Sequence, residues 1–146
     1  MKQVITLPEI RVFAKKLGHT FTRLPIRVRM ANIPPTSTYE VTMRNYWSYV
    51  TPTDKRKKPY LGFHTILINE KYYNENKTNR EELEQGIIHE LAHAKVTMED
   101  FNTSGVDAFM RVSHGADFKK AARELGADRL HQKQYWDDLH YNKKGI

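Results

Sequence analysis

The chain has 146 residues, of which 39% are hydrophobic and 28% charged, and this excludes a disordered chain, two full domains or a membrane-spanning segment. It contains no cysteine, which excludes disulfides, thiolate zinc ribbons and a cysteine nucleophile, so any metal must be held by His, Asp or Glu. The formal net charge of +7 favours polyanionic partners, although bulk charge alone does not define a binding patch.

The N-terminal half predicts one helix followed by three strands. Residues 7–17 have apolar side chains at helical spacing, and Gly18 is a natural stop. Alternating or β-branched and aromatic patterns predict strands over residues 25–30, 39–50 and 61–68. Residues 51–59, which are bounded by prolines and rich in Lys and Arg, predict a hairpin loop between the last two strands.

The C-terminal half predicts helices. Residues 80–97 have a strong apolar stripe, with Asn79 as the N-cap. Residues 98–113 predict a long connection that contains a short helix at 106–112. A further helix is predicted over residues 115–125, with Gly126 as its stop, and a last helix over 130–141. The element order predicts an α+β fold in which a mainly antiparallel three-stranded sheet follows an N-terminal helix, in one domain spanning residues 1–146.

The segment His89-Glu90-Leu91-Ala92-His93 lies within the most periodic of these helices. Two histidines four residues apart project from one helical face, so both rings can bind one tetrahedral zinc ion. Glu90 lies roughly 100° around the helix and can act as a general base on the attacking water without being a ligand. Gly86, on the side of the histidine pair, would let a strand or substrate approach the helix closely. This division of roles is what the pattern His-Glu-x-x-His encodes in zinc peptidases.

A catalytic zinc site needs a third protein ligand. The metzincin continuation fails, because Val96 and Glu99 stand where it requires Gly and His, and a deformylase-type site needs a cysteine. A thermolysin-like Glu ligand is expected in the zone that Ser113 and His114 occupy. His114, placed where a loop enters a helix, is therefore the best candidate for the third ligand. The acidic alternatives are Glu99, Asp100, Asp107, Asp117 and Glu124.

These motifs together resemble those of the SprT-like (Spartan-type) family of zinc metallopeptidases. The resemblance rests on the pentad, on His114-Gly-x-x-Phe118 with the following Leu125-Gly126, and on the strand pattern of residues 62–69. It implies a compact minigluzincin-like α+β domain, with His89, His93 and His114 as zinc ligands and Glu90 as the catalytic residue. The chain departs from many relatives because no cysteine zinc ribbon or separate DNA-binding tail follows, so DNA-dependent activation is not implied.

Other residues support weaker hypotheses. The run Lys55, Arg56, Lys57 and Lys58 beside aromatic residues can contact DNA or RNA, but a solvated loop is the simpler interpretation. A tyrosine hydroxyl can stabilise an oxyanion, and the sequence does not choose among Tyr46, Tyr72, Tyr73 and Tyr135. His64, on a strand expected beside the active helix, is either an ordinary packed histidine or a residue that supports the site.

The sequence thus predicts a zinc metalloendopeptidase that acts on protein or peptide substrates, with nucleic-acid-associated proteins as one candidate class. The alternative is a nucleic-acid-binding module with a structural zinc and no protease activity. The N-terminus lacks a long apolar segment and a cleavage site, so we expect a cytoplasmic protein without a membrane partner. The oligomeric state is not predicted.

Overall fold

The computed structural model describes residues 3–37, 40–111 and 114–127. The described chain is an α+β fold, as predicted, with an N-terminal helix, three strands and then helices. The helices α1 to α4 span Leu7–Gly18, Glu70–Asn76, Arg80–Ser104 and Ala116–Glu124. The strands β1 to β3 span Ile26–Ala31, Met43–Val50 and Tyr60–Asn69, and a 3₁₀ helix spans Gly105–Met110.

The helix α1 begins where the predicted apolar periodicity begins. Thr6 and Glu9 form a capping box, in which each side chain accepts a hydrogen bond from the other residue's backbone N–H, and Pro8 stands in the first turn. Ile10 and Ala14 are buried one turn apart, so α1 packs one face against the sheet and α3.

The sheet has the strand order β1-β3-β2 and is mixed. β2 and β3 pair in antiparallel fashion and are joined by the hairpin loop that residues 51–59 predict. β1 instead pairs in parallel with β3. The chain passes from β1 to the opposite edge of the sheet, where it forms β2, and β3 then lies between β1 and β2. The sheet therefore contains one parallel and one antiparallel pair, and the fold class is the predicted one. The strand order leaves β1 and β2 as the two edges.

The side chain of Asn69 fixes the crossing segment to the end of β3. Its amide nitrogen donates to the backbone oxygens of Ile33 and Val41, at 3.0 and 2.7 Å, and the side chain is buried. Its carbonyl oxygen accepts from the backbone N–H of Lys71 and so caps α2, a short helix that the sequence analysis missed.

The helix α3 is longer than predicted. It begins at the predicted N-cap, Asn79, whose side chain accepts from the backbone N–H of Glu82. It then continues to Ser104, through residues assigned to a connection, and ends at Gly105, where the backbone adopts a φ of 62° that favours glycine. The short helix expected at 106–112 is the 3₁₀ helix, and the helix expected at 130–141 lies outside the described residues.

The core lies between the sheet and the α1–α3–α4 layer. Its largest cluster joins Ile66 and Ile68 of the central strand to Ile87 and Leu91 of α3, all nearly inaccessible to solvent. Among the described residues, no helix has the length and apolar character needed to cross a membrane. The single-domain boundary of 1–146 stays a prediction.

Candidate metal centre

Strand β2 and helix α3 lie against each other in register. Met43 contacts Gly86, where an added Cβ would lie 2.7 Å from the Met43 methyl carbon, and this is the close strand approach predicted for that glycine. Glu90 lies four residues after Gly86 on α3 and accepts a hydrogen bond from Asn45, which lies two residues after Met43 on β2. Ala94 lies four residues further along α3, and its carbonyl accepts from the Trp47 indole N–H at 2.9 Å. Two strand residues advance about 6.6 Å and four helical residues about 6.0 Å, so contacts on one strand face repeat along one helix face.

Three histidines converge beside this seam. His89 and His93 are one turn apart on α3, and His114 lies two residues before α4 begins. The Nε2 atom of His114 is 3.0 Å from Nε2 of His93 and 3.2 Å from Nε2 of His89. Two nitrogens bound to one tetrahedral zinc at 2.0–2.1 Å are separated by roughly 3.3 Å, so the three rings fit a shared metal ion.

Phe118 packs against all three imidazoles. Its ring centroid lies 4.9, 4.4 and 4.7 Å from those of His89, His93 and His114, and its side chain is almost fully buried. Because Phe118 belongs to α4, the docking of this helix on α3 also sets the orientation of the histidine rings. Lys95 of α3 and Glu124 of α4 form an ion pair at the same helix interface.

Burial keeps the α3 histidines uncharged and so suited to bind a metal. Loss of solvent lowers the pKa of His89 to about 3, with a further lowering by the nearby His114. The pKa of His93 is also lowered, first by burial and then by its neighbouring histidines. A neutral imidazole offers a lone pair, so the three convergent Nε2 atoms are a suitable donor set for a divalent metal ion.

The carboxyl group of Glu90 contacts β2 through a hydrogen bond from Asn45. Burial raises its pKa to about 7, and the hydrogen bond from Asn45 opposes that rise by stabilising the charged form. Asn45 also accepts from His64, whose Nε2 lies 3.2 Å from the Asn45 carbonyl oxygen. A line of hydrogen bonds therefore runs from β3 through β2 to α3.

Asn45 was missed by the sequence analysis. Period-two alternation places it on the same strand face as the buried Met43 and Trp47, and a polar residue at such a position was the available signal. The strand alone did not reveal which helical residue it faces. His64, considered both as a packed and as a supporting histidine, is fully buried and contacts Asn45 and the Trp47 ring.

The acidic alternatives for the third ligand do not cluster with the histidine pair. His89, His93 and His114 form the group of potential ligands found in the described part of the chain, with their ligand atoms within 4.8 Å of one another. Asp117 is exposed in the first turn of α4, and Glu124 is paired with Lys95. The other acidic residues considered, Glu99, Asp100 and Asp107, lie on the late turns of α3 and on the 3₁₀ helix.

Two of the tyrosines considered for oxyanion stabilisation use their hydroxyl groups in other hydrogen bonds. The Tyr73 hydroxyl donates to the backbone oxygen of Ile5 at 2.7 Å, and the Tyr72 hydroxyl donates to Glu82 at 3.0 Å. Tyr46 is 48% exposed on the side of β2 that faces away from α3. Tyr135 lies outside the described residues.

Basic side chains occur in two further regions. The exposed run Lys55, Arg56, Lys57 and Lys58 lies in the β2–β3 hairpin loop, where Arg56 pairs with Asp54 at 3.2 Å. A cleft between α1 and β1, which the sequence analysis did not predict, is lined by Arg11, Lys15, Arg27 and Arg29. The Arg11 guanidinium donates to the Val28 carbonyl there, and the Arg27 guanidinium lies 4.0 Å above the Phe63 ring.

Comparison with protein-family models gives one assignment. A model described as the SprT-like family matches residues 13–136. The matched region begins within α1 and includes the sheet, the His-Glu-x-x-His segment and His114. Neither the comparison with curated proteins nor the comparison with solved structures found a match.

Proposed function

The chain belongs to the SprT-like family, and from that premise we propose that it is a zinc-dependent metallopeptidase that hydrolyses peptide bonds in protein substrates. The observation that supports this most directly is the convergence of three histidine Nε2 atoms, with those of His93 and His89 at 3.0 and 3.2 Å from that of His114. The residue after His89 is the buried Glu90. A bound metal together with a carboxylate base is one established means of hydrolysing an unactivated amide.

We assign the metal to His89, His93 and His114 through their Nε2 atoms. Three imidazoles favour zinc over the hard cations magnesium and calcium, which prefer oxygen ligands, and a three-histidine set leaves a position for water or substrate. When bound, the metal would polarise the scissile carbonyl and make a water more acidic.

Glu90 would act as the general base and then as the general acid. Its carboxyl group accepts a proton from the attacking water, which adds to the carbonyl carbon, and then donates it to the leaving amine nitrogen. Burial supports this role, because it moves the pKa of Glu90 to about 7, where a carboxyl group can both take up and release a proton at neutral pH.

The edge strand β2 offers a place for an extended substrate. One neighbour of β2 is β3, its other side pairs with no further strand among the described residues, and Asn45 brings it into contact with Glu90. We expect a peptide to add to this edge by backbone hydrogen bonds, with its scissile bond beside Glu90. Backbone recognition of this kind fits protein substrates of varied sequence.

The test compares Glu90→Gln with the wild-type protein on an unstructured protein such as casein, with zinc measured by elemental analysis. We expect one zinc per chain in both proteins and a loss of hydrolysis of about 10²–10⁴-fold in the variant, because the amide cannot accept the proton. Glu81→Gln, at an exposed position in the first turn of α3, is the matched control and should retain activity. Hydrolysis that survives Glu90→Gln would refute the assigned base.

A second function, nucleic-acid binding, is favoured by the basic cleft between α1 and β1. Four cationic side chains from two elements converge there, and the net charge of the chain is +7. DNA-bound or RNA-bound proteins would then be natural substrates. The alternative of a binding module with a structural zinc predicts retention of nucleic-acid binding and no hydrolysis by the wild-type protein.

A further inference from the structure

Asn45 lies between two buried side chains that have different hydrogen-bonding requirements. Its amide nitrogen contacts Oε2 of Glu90, and its carbonyl oxygen contacts Nε2 of His64 at 3.2 Å. Both neighbours are shielded from water, with 0% exposure for His64 and 8% for Glu90. In such surroundings the direction of each hydrogen bond is decided by which atoms can donate.

With Glu90 ionised, as a general base must be, the donor and acceptor assignment has one consistent solution. An ionised carboxylate can only accept, so the amide of Asn45 must point its NH₂ group at Glu90 and its oxygen at His64. His64 must then donate from Nε2. Burial lowers the pKa of His64 to about 3, so the ring is neutral and carries a single N–H. Its other nitrogen, Nδ1, has no hydrogen-bond partner among the described residues, as expected for the atom without the proton.

The backbone around Asn45 is held at two flanking points. Met43, two residues before, fits over Gly86, and Trp47, two residues after, is fixed by its hydrogen bond to the Ala94 carbonyl. Trp47 also packs against the His64 ring, with centroids 5.0 Å apart. Asn45 therefore presents its amide from a rigid strand, as a group that positions a catalytic side chain must do.

We propose that Asn45 is a positioning residue for Glu90, and that His64 orients the Asn45 amide for this purpose. The inference rests on the proposed function, in which Glu90 is the base. Holding Oε2 leaves Oε1 as the oxygen that takes the proton and fixes the carboxyl plane relative to the histidine nitrogens. Without the amide, the buried carboxyl group loses its hydrogen bond from the strand and can rotate.

The kinetic test replaces each member of this pair. Asn45→Ala should lower kcat about 10–100-fold, as the loss of groups that support a metal site does, with little change in KM or in zinc content. A kcat equal to that of the wild-type protein would overturn the proposal. A thermal unfolding curve for each variant separates misfolding from mispositioning, and Asn45→Ser is the replacement to use if Asn45→Ala does not fold.

His64 offers a rescue comparison that a purely structural role would not reproduce. His64→Gln retains an N–H donor near the position of Nε2, whereas His64→Leu fills the space without one. We expect kcat to be largely retained in His64→Gln and to fall in His64→Leu to the level of Asn45→Ala. Equal losses in the two His64 variants would mean that His64 does not act through the Asn45 amide.

A measurement without turnover distinguishes failure of this inference from failure of the proposed function. In ¹⁵N-labelled protein, the side-chain NH₂ signals of Asn45, assigned by their loss in Asn45→Ser, should move on Glu90→Gln and stay in place on Glu81→Gln. The His64 ring should show the Nε2–H tautomer in its nitrogen shifts. If the wild-type protein hydrolyses nothing, the proposed function fails, while unmoved Asn45 signals would overturn the contact itself.

Discussion

The two edge strands of the sheet differ in what they pack against and in the groups they present. β2 is antiparallel to β3, lies in register with α3 and directs Asn45 and Trp47 at that helix, which contains the buried Glu90. β1 is parallel to β3, packs against α1 and presents Arg27 and Arg29 to solvent beside a basic cleft. The polar side chains that β2 directs at α3 are hydrogen-bonded there, whereas the polar side chains of β1 are exposed cations.

This difference separates two kinds of function within one small sheet. Chemistry where β2 meets α3 depends on fixed geometry, because the hydrogen-bonding groups of that contact are shielded from water and must match their partners. Attraction at the β1 edge depends on charge, which acts over a Debye length and tolerates flexible side chains. Substitutions at the two edges should therefore change different observables.

The largest difference should appear in metal retention. His114→Ala removes one of three convergent nitrogens, so we expect zinc affinity to fall by more than about 100-fold, beyond the usual cost of losing a supporting group. Equilibrium dialysis against a chelator measures this.

Asp117→Ala, three residues further along the chain, is the matched control for that measurement. Asp117 is exposed in the first turn of α4 and should be dispensable for zinc. The opposite ranking of the two variants would transfer the third ligand to the aspartate. Lys15→Gln, in the basic cleft between α1 and β1, should leave zinc affinity unchanged.

Acid should destabilise the metal-free protein through His64, the β3 residue that packs against β2. The folded-state pKa of His64, about 3, lies below that of an unfolded histidine, so the unfolded chain binds the extra proton first as the pH falls. The stability contributed by the neutral ring is therefore complete above about pH 6.5 and is lost towards pH 3, at about 1.4 kcal/mol per pH unit. Urea unfolding of the metal-free protein at several pH values measures this slope.

Comparison with His64→Gln isolates that slope from other groups. Glu90 acts in the opposite sense, because its raised pKa makes the folded state the better proton acceptor between about pH 4.5 and 7. The free energies of unfolding of the wild-type protein and the variant should therefore be compared at the same pH. Parallel slopes for wild type and His64→Gln would contradict the prediction.

The smallest effect is expected at the basic regions. For binding of single-stranded DNA, each lost phosphate contact reduces the salt slope by about 0.7, so Lys15→Gln with Arg29→Gln should reduce it by about 1.4. Lys57→Gln with Lys58→Gln, which removes the same charge from the hairpin loop, should have a smaller effect because those side chains do not line a cleft. Fluorescence anisotropy at several salt concentrations measures both pairs.

The reverse order would place nucleic-acid contact on Lys55–Lys58, as the sequence analysis considered. Equal, small changes in the two pairs would indicate diffuse attraction by the whole surface. Binding that does not respond to salt in the wild-type protein would remove the electrostatic basis of the second function.

The parts of the fold that depend on local signals were predictable from the sequence. The Asn79 cap, the stop at Gly126 and the loop between β2 and β3 follow from residue chemistry over a few positions. The parallel pairing of β1 and the extension of α3 to Ser104 depend on tertiary packing. Phe101, buried in the late part of α3, contributes to that packing.

The residues of the candidate site also divide into those that local sequence patterns predict and those that depend on tertiary packing. His89, Glu90 and His93 are marked by their spacing on one helix, and His114 by elimination of other completions. The pairing of Asn45 with Glu90 joins residues 45 positions apart, and no local pattern predicts such a register. His64 was interpreted mainly as packing because a single strand does not show what its inner face meets.

The matched spacing of β2 and α3 has a consequence for the lengths of related sequences. One residue inserted or deleted between Met43 and Trp47 would reverse which side chains face α3 and place a neighbour of Asn45 opposite Glu90. Residues 51–59 have no such constraint, because the chain there only needs to reverse direction. Length variation among relatives should therefore concentrate in the hairpin loop, while the stretch from Met43 to Trp47 keeps its length.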